Sequence, residues 1–481
     1  MNLRIVRYIT GWVIIFEGAF LLFPLITGLC YREYEICKVF ALVILICVVC
    51  GMLLKGIRRG DLGELYIREG FACVSLSWIA LGIFGALPFF ISGEIPDYID
   101  AVFEVISGLT TTGASILSDV ECLSRASMFW RCFTHWIGGM GVFVFIMAIL
   151  PMAGARNINL MKAESPGPSV SKFVPKMKDT AKLLYAIYIV ITVVCIVSYL
   201  LSGMTVYEAL TLSFGTVGTG GFGLYNDSMA SFTPLQINLM TFFMIISGIN
   251  YSVYFCIAVF NFKEIFSFEE VRYYLLIILA SIVLIAKDIL PMYGKINVAF
   301  RHSAFQVASI ITTSGFSTAD FDKWPELSKG IIVLLMIVGA CAGSTGGGLK
   351  VSRVLILMKG VGREIQSIIH PQRVRKLYLD REPLSDETLR STNAYAAIYA
   401  VILVASALLI APDGLGLTSN LTAVLATLNN IGPGLKAVGP TQNFGIYSSF
   451  SKCVLIFDML AGRLELFPIL ILLLPSCWKK Y

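Results

Sequence analysis

The chain has 481 residues, 57% of them hydrophobic and only 14% charged, with a formal net charge of +6 and a mean hydropathy of +0.80. A soluble domain carries about 25% charged residues, so this composition excludes a water-soluble globular protein and requires lipid around much of the apolar surface. The apolar stretches recur from end to end, which also excludes a large soluble domain.

A helix crossing about 30 Å of hydrocarbon needs about 20 apolar residues, and that length predicts ten spans. Two come first, near residues 8–29 and 36–54. Four pairs follow: 70–91 with 127–150, 182–202 with 235–260, 273–291 with 330–358, and 391–411 with 450–474. The first apolar run lacks a small-residue cleavage site after it and reads as a retained helix. Cys47 and Cys50 form a C-x-x-C inside one helix-length run. They and the other cysteines read as small packing residues, not as a disulfide framework or metal cluster. Lys and Arg gather in alternate loops: Arg4 and Arg7, then Lys55, Arg58 and Arg59, then Arg156, Lys162, Lys172 and Lys176, then Lys263. The densest group is Lys359, Arg363, Arg373, Arg375, Lys376, Arg381 and Arg390, and Lys479 and Lys480 close the chain. The positive-inside rule assigns these loops and both termini to the cytoplasm.

Between the members of each pair lies a segment too long for a tight turn and too short to span. Each has an apolar helical stretch followed by a cluster of small and polar residues. The first runs from Asp97 to Leu109, then Thr110-Thr111-Thr112-Gly113. The second runs from Val206 to Phe214, then Thr216-Val217-Gly218-Thr219-Gly220-Gly221. The third runs from Ile296 to Ile310, then Thr312-Thr313-Ser314-Gly315, and the fourth from Asn420 to Leu428, then Asn429-Asn430-Ile431-Gly432-Pro433. The aligned glycines recur about every 100 residues, the mark of an internal repeat. The predicted fold class is therefore an all-α polytopic membrane protein. It has four pseudo-repeats of helix, re-entrant pore loop and helix around a central pore, with two extra N-terminal transmembrane helices. The divisions are 1–68 for the N-terminal pair, then 69–155, 156–262, 263–380 and 381–481 for the four pore repeats.

Irregular backbone at membrane depth survives only when buried in protein or lining a wet cavity. Four such loops meeting on one axis can point carbonyls at a dehydrated cation and replace its water shell. Glycine suits this because it accepts φ/ψ values that aim the carbonyl. Thr and Ser hydroxyls add oxygens, and oxygen-only ligation favours a hard alkali cation. Gly218, Gly220 and Gly223 also satisfy G-x-G-x-x-G, but the strand, helix and acidic residue that a dinucleotide site needs are missing. No nucleophile with its base, no carboxylate pair and no metal spacing is evident, so no enzyme activity is expected. His135 and His302 read as hydrogen-bonded structural histidines.

A second glycine cluster, Gly343-Ser344-Thr345-Gly346-Gly347-Gly348-Leu349-Lys350, lies inside the second span of the third repeat. Three consecutive glycines should break the helix there. Two readings stand: a flexible loop in the permeation path on the cytoplasmic side of the filter, or close helix packing by small residues. Leu349 between Gly348 and Lys350 excludes a phosphate-binding loop. The last span carries Arg463 and Glu465, which an apolar helix tolerates only if they face the protein interior or a pore. Two residues apart, they do not share a helix face, so each should have its own partner. A structural salt bridge is the alternative to a pore-facing role.

At the four loops, at Ala340-Cys341-Ala342-Gly343-Ser344-Thr345-Gly346-Gly347-Gly348-Leu349-Lys350, at His135-Trp136-Ile137-Gly138-Gly139-Met140-Gly141 and at Gly462-Arg463-Leu464-Glu465, the sequence resembles the Trk/Ktr/HKT superfamily of potassium transporters. The two extra N-terminal spans favour the bacterial Trk type over the shorter Ktr type. The resemblance covers essentially the whole chain and implies one filter glycine per loop: Gly113, Gly221, Gly315 and Gly432. The residues before them, Thr111 and Thr112, Thr219 and Gly220, Thr313 and Ser314, Asn430 and Ile431, would then offer carbonyls to K+. It implies that the Gly343, Ser344, Thr345, Gly346, Gly347, Gly348 segment and Arg463 gate the pore. It further implies uptake of K+ across the bacterial inner membrane, a homodimer, and a cytosolic nucleotide-binding regulatory subunit beneath. Membrane lipid is the other expected partner, and no covalently bound cofactor or nucleic acid is expected. An ion-coupled (H+ or Na+) secondary cation symporter is the alternative, although such proteins usually show two inverted repeats. The fourth loop departs from the pattern by carrying no Thr before its glycine.

Overall fold

The protein is described here from a computed structural model that covers residues 1–56, 67–141, 177–261, 264, 267–371, 376–380 and 382–478. Helices form nearly all of its regular structure. Among the described residues, one short antiparallel ladder pairs Tyr378–Leu379 with Glu382–Pro383.

Six of the ten predicted spans are helical stretches long and apolar enough to cross a membrane: Leu3–Tyr31, interrupted only at Leu21, Tyr34–Lys55, Arg68–Ser92, Lys182–Leu201, Glu269–Tyr293 and Asp386–Asp413, whose last three residues are a 3-10 turn. They are the N-terminal pair and the first helix of each repeat. Their outward faces carry exposed Leu, Ile and Val, such as Leu276, Leu279 and Val283, as a lipid-facing surface should.

Of the other four, the second helix of each repeat, three depart from the expected continuous spans, and the first is described only through Gly141. Arg125–Gly139 is the described part of the first, and most of the remainder of the predicted 127–150 span lies outside the described residues. In the second repeat, Pro234–Ser247 and Tyr251–Ala258 meet at a 92° bend. In the third, Glu326–Val338 and Val351–Ile369 are separated by the non-helical segment from Gly339 to Lys350. In the fourth, Ser449–Arg463 and Phe467–Leu473 are separated at Leu464–Leu466, where Glu465 and Leu466 both have positive φ. The freed backbone groups find partners across the breaks. The Cys341 N–H donates to the Gly248 carbonyl at 3.1 Å, and the Tyr251 N–H donates to the Gly343 carbonyl at 3.0 Å. The third-repeat break was legible from its glycines. The breaks in the second and fourth repeats were not, because the groups that stabilise them lie in other repeats.

Between the helices of each repeat, a short helix enters the bundle: α1 Tyr98–Leu109, α2 Val206–Gly218, α3 Ile296–Ile311 and α4 Leu417–Leu428. Asp97 caps α1 by accepting the Ile99 and Asp100 N–H groups, and Thr205 with Glu208 forms a capping box on α2. All four are buried over most of their length. Of the basic loop residues, Arg58, Arg59, Arg156, Lys162, Lys172, Lys176, Lys263, Arg373, Arg375, Arg381, Lys479 and Lys480 lie outside the described residues.

Candidate functional site

The four short helices end in the same way. Thr111, Thr219, Thr313 and Asn430 take φ of 55°, 57°, 58° and 54°. In each loop the next N–H reaches back to the helix. Thr112 donates to Ser107 O at 2.8 Å, Gly220 to Gly215 O at 2.7 Å, Ser314 to Ser309 O at 2.8 Å and Ile431 to Ala426 O at 2.8 Å. A second bond runs from Thr111 N–H to Gly108 O, and likewise from Thr219 to Thr216, Thr313 to Ile310 and Asn430 to Thr427. This is the Schellman termination, which normally places glycine at the left-handed position. Here a β-branched Thr occupies that position three times, at a cost of about 1–2 kcal/mol each. Asn430 adopts the same φ as the threonines, so the fourth loop follows the common backbone path despite its different sequence.

One residue further on, Gly113, Gly221, Gly315 and Gly432 have φ of 78°, 91°, 77° and 100°. The left-handed conformation explains the glycine, and so does the space. A Cβ at Gly113 would collide with the carbonyl oxygen of Gly220, at Gly221 with that of Ser314, and at Gly315 with that of Ile431. At Gly432 it would stand 2.8 Å from the carbonyl oxygen of Thr112. Each glycine thus faces the carbonyl before the glycine of the next loop, and the series returns to its start. Four segments about 100 residues apart in sequence form one closed ring of backbone. Among the described residues none of these four carbonyls accepts a backbone hydrogen bond. The buried Thr111 Oγ1 and Asn430 Oδ1 also lack a partner there.

The loop exits are laced to one another in the same cyclic order. Val120 N–H donates to Asn226 Oδ1 at 2.9 Å, Met229 N–H to Ser317 O at 2.9 Å, Lys436 N–H to Asp322 Oδ1 at 3.2 Å, and Phe444 N–H to Ser115 O at 2.8 Å. Above the ring they enclose a vestibule of about 210 Å3 whose lining includes all four glycines. At its rim the Asn226 side-chain amide donates to Asp119, and this bond, with that from the Glu121 N–H, holds the Asp119 carboxyl below its ordinary range.

The glycine segment of the third repeat lies against the opposite side. The Gly347 N–H donates to Thr313 Oγ1 at 2.7 Å, and a Cβ at Gly347 would collide with the Asn429 carbonyl. Thr345 Oγ1 donates to the carbonyls of Val217 at 3.2 Å and Ser247 at 3.3 Å. The segment therefore touches the ends of α2, α3 and α4. Gly343 and Gly348 have φ of 69° and 74°. Arg463 donates through Nη1 to the Thr345 carbonyl at 2.9 Å and through Nη2 to the carbonyls of Gly139, at 2.8 Å, and Gly138. Glu465 pairs instead with Arg353, so the two charges have separate partners. Ser344 Oγ donates to the Cys341 carbonyl at 2.7 Å, and Lys350 Nζ donates to the Gly346 carbonyl.

Sequence reasoning missed several groups at this site. Glu270, buried near the start of its span, accepts the N–H groups of Ala342 at 2.7 Å and Ser352 at 2.9 Å, and so pins both ends of the glycine segment. In the sequence it is indistinguishable from a solvated acid beside a basic loop. Glu104 and Arg131 form a buried pair at 2.6 Å behind the first loop. Each is a charge inside an otherwise apolar helix, a signal that could have been used. His135 lies between the first two loops: its ring is within 2.8 Å of the Gly108 carbonyl and 3.2 Å of the Phe222 N. The G-x-G-x-x-G residues are accounted for separately, since Gly218 ends a helix and Gly220 packs on the His135 ring.

A family model described as TrkH, a cation transport protein, matches residues 36–480. The chain is 36% identical over its full length to the full-length Trk system potassium uptake protein TrkH of Salmonella typhimurium. It is 31% identical to Trk system potassium uptake protein TrkG of Escherichia coli, over all of this chain and 99% of that protein. The crystal structure of the potassium transporter TrkH from Vibrio parahaemolyticus superposes with a TM-score of 0.88 at 33% identity, covering both chains completely.

Proposed function

The chain belongs to the TrkH family of cation transport proteins, and we propose that it takes up K+ across a bacterial inner membrane through a pore whose selectivity filter is the ring of four loops. One observation carries this reading: the closed cyclic contact of Gly113, Gly221, Gly315 and Gly432 with carbonyls of the next loop. Carbonyls without backbone partners are the groups that replace the hydration shell of an alkali cation. The carbonyls of Thr111 and Thr112, Thr219 and Gly220, Thr313 and Ser314, Asn430 and Ile431 hold the ion. Four helix C-termini converge beneath them, each equivalent to about half a negative charge, and favour a cation at the base of the ring. K+ is the cargo, and the 1–68, 69–155, 156–262, 263–380 and 381–481 divisions are the N-terminal pair and the four units that build its path.

The same reading assigns Gly343, Ser344, Thr345, Gly346, Gly347 and Gly348 to a gate, latched by Arg463. The guanidinium satisfies three carbonyls and keeps a positive charge beside the path, where a low dielectric enlarges its repulsion of a cation. Both termini lie in the cytoplasm, with the basic loops. Lys359, Arg363, Lys376 and Arg390 belong to the face on which a cytosolic nucleotide-binding subunit docks, and a second copy of the chain completes a homodimer in the membrane.

The test is K+ flux into reconstituted vesicles with Na+ as competitor. Gly113→Ser or Gly221→Ser adds a Cβ to a position with no room for one and misdirects a carbonyl. Each variant should lower K+ over Na+ discrimination more than it lowers protein level. Unchanged permeability ratios in all four single glycine variants would overturn the filter assignment.

A further inference from the structure

We propose that His135 is a positioning residue that sets the ion discrimination of the filter, acting as a two-ended strut between the first and second loops. The inference rests on the reading of the four loops as the filter. His135 lies in Arg125–Gly139, the second helix of the first repeat, and is fully buried. One ring nitrogen, Nδ1, is 2.8 Å from the Gly108 carbonyl oxygen, and the other, Nε2, is 3.2 Å from the Phe222 backbone nitrogen. A carbonyl only accepts and a backbone N–H only donates. The ring is therefore neutral with its proton on Nδ1, and both nitrogens are committed.

The two partners are not ordinary backbone groups. The Gly108 carbonyl also accepts the Thr111 N–H in the termination that holds Thr111 left-handed in the first loop. Phe222 directly follows Gly221, so its N–H belongs to the peptide whose carbonyl is that of Gly221. Fixing that N–H fixes the plane of the peptide that leaves Gly221, and so the filter glycine that directly follows the ion-facing carbonyl of Gly220. One ring thus couples the peptide geometry of two adjacent loops.

The ring also explains an irregularity in the sequence. The residue before the filter glycine is Thr112, Ser314 or Ile431 in three loops but Gly220 in the second. A Cβ at Gly220 would collide with the Cγ, Nδ1 and Cδ2 atoms of His135. The imidazole occupies the volume that a side chain takes in the other loops. The arrangement is not repeated in the fourth unit. Gly138 and Gly462 are equivalent, since a Cβ at either would collide with the carbonyl of the last residue of its own short helix, Leu109 or Leu428. Three residues before them stand His135 and Met459, and a thioether cannot donate a hydrogen bond.

The test compares three variants in vesicles, reading the K+ over Na+ permeability ratio from bi-ionic reversal potentials. His135→Gln brings an amide oxygen near the Nε2 position and keeps an acceptor for the Phe222 N–H; it gives up the bond to the Gly108 carbonyl, which still accepts the Thr111 N–H and so loses less. His135→Asn reaches only the Nδ1 position and loses that acceptor. The ratio should fall about tenfold in His135→Asn, the worth of about one hydrogen bond, and stay within about threefold of the parent in His135→Gln. Gly221→Ser serves as the filter control. If His135→Asn keeps the parent ratio while Gly221→Ser lowers it, the strut is refuted and the filter reading stands. Equal losses in the Gln and Asn variants give the ring a packing role only and also refute the proposal. If neither His135→Asn nor Gly221→Ser moves the ratio, the filter reading fails and the proposal falls with it. A variant that fails to fold is replaced by the pair Gly220→Ser and Gly220→Ser/His135→Ala. The double variant should recover the folded protein that the single one loses, and failure to recover it counts against the shared volume.

Discussion

Replacing Glu104 by glutamine removes one charge from the buried pair that backs the first two loops. The Glu104 carboxylate accepts Arg131 Nε at 2.6 Å, the Ser115 hydroxyl at 2.9 Å and the Ile116 N–H at 3.0 Å. Arg131 in turn donates to the Gly223 carbonyl at 3.0 Å and stands 3.6 Å over the Phe222 ring. The two side chains are 0% and 2% exposed, so water cannot compensate the loss. Breaking one side of a buried pair costs about 3–5 kcal/mol, because the remaining charge is left uncompensated. Glutamine keeps one neutral acceptor, which places the expected loss near the lower end, at about 3 kcal/mol. The carbonyl and ring contacts of Arg131 are present in both proteins and do not reduce it. Unfolding in mixed micelles of rising denaturing-detergent content would measure this difference. The companion variant Glu104→Gln/Arg131→Met removes the stranded charge, and should be more stable than Glu104→Gln alone. A loss below about 1 kcal/mol for Glu104→Gln, or strict additivity in the double variant, would refute the pair as a buried strut.

Arg463→Ala and a deletion within Gly346–Gly348 should each raise basal flux in vesicles without changing ion preference, since the ring of glycines is left intact. Their combination should give less than the product of the two effects, and unchanged flux in well-folded Arg463→Ala would make Arg463 a structural residue only. Thr111→Gly should stabilise the fold by about 1 kcal/mol, because Thr111 holds φ of 55° and its hydroxyl has no partner among the described residues. The same variant should lower K+ discrimination by loosening the first loop, and measured destabilisation in the unfolding assay would contradict the strain assigned to the left-handed threonines.

Much of the architecture was written locally. Apolar runs of about 20 residues marked the six helical stretches long enough to span, because in lipid a helix needs only its own length and hydropathy to be stable. The glycine recurrence marked the loops, because left-handed backbone selects glycine wherever it occurs. Gly343 and Gly348, with φ of 69° and 74°, marked the break in their helix for the same reason. The bend between Ser247 and Tyr251 and the break at Glu465 and Leu466 left no such mark. The first is held by backbone bonds to the third repeat, and Glu465 at the second is met by Arg353 from that repeat.

By itself, then, the sequence determined a membrane-embedded chain of four repeated units, each with a short helix ending near a glycine, since length, hydropathy and glycine conformation are properties of single segments. Only the tertiary structure decided which loop neighbours which, and that the ring closes from Gly432 back to Thr112. It also decided that Thr111, Thr219 and Thr313 adopt a backbone that threonine avoids in isolation. The cost of that backbone is met by contacts between residues far apart in the chain, such as the Asn430 side-chain amide donating to Thr112 Oγ1 and the Gly347 N–H donating to Thr313. Such contacts have no local sequence signature, because their free energy exists only once the four units are assembled.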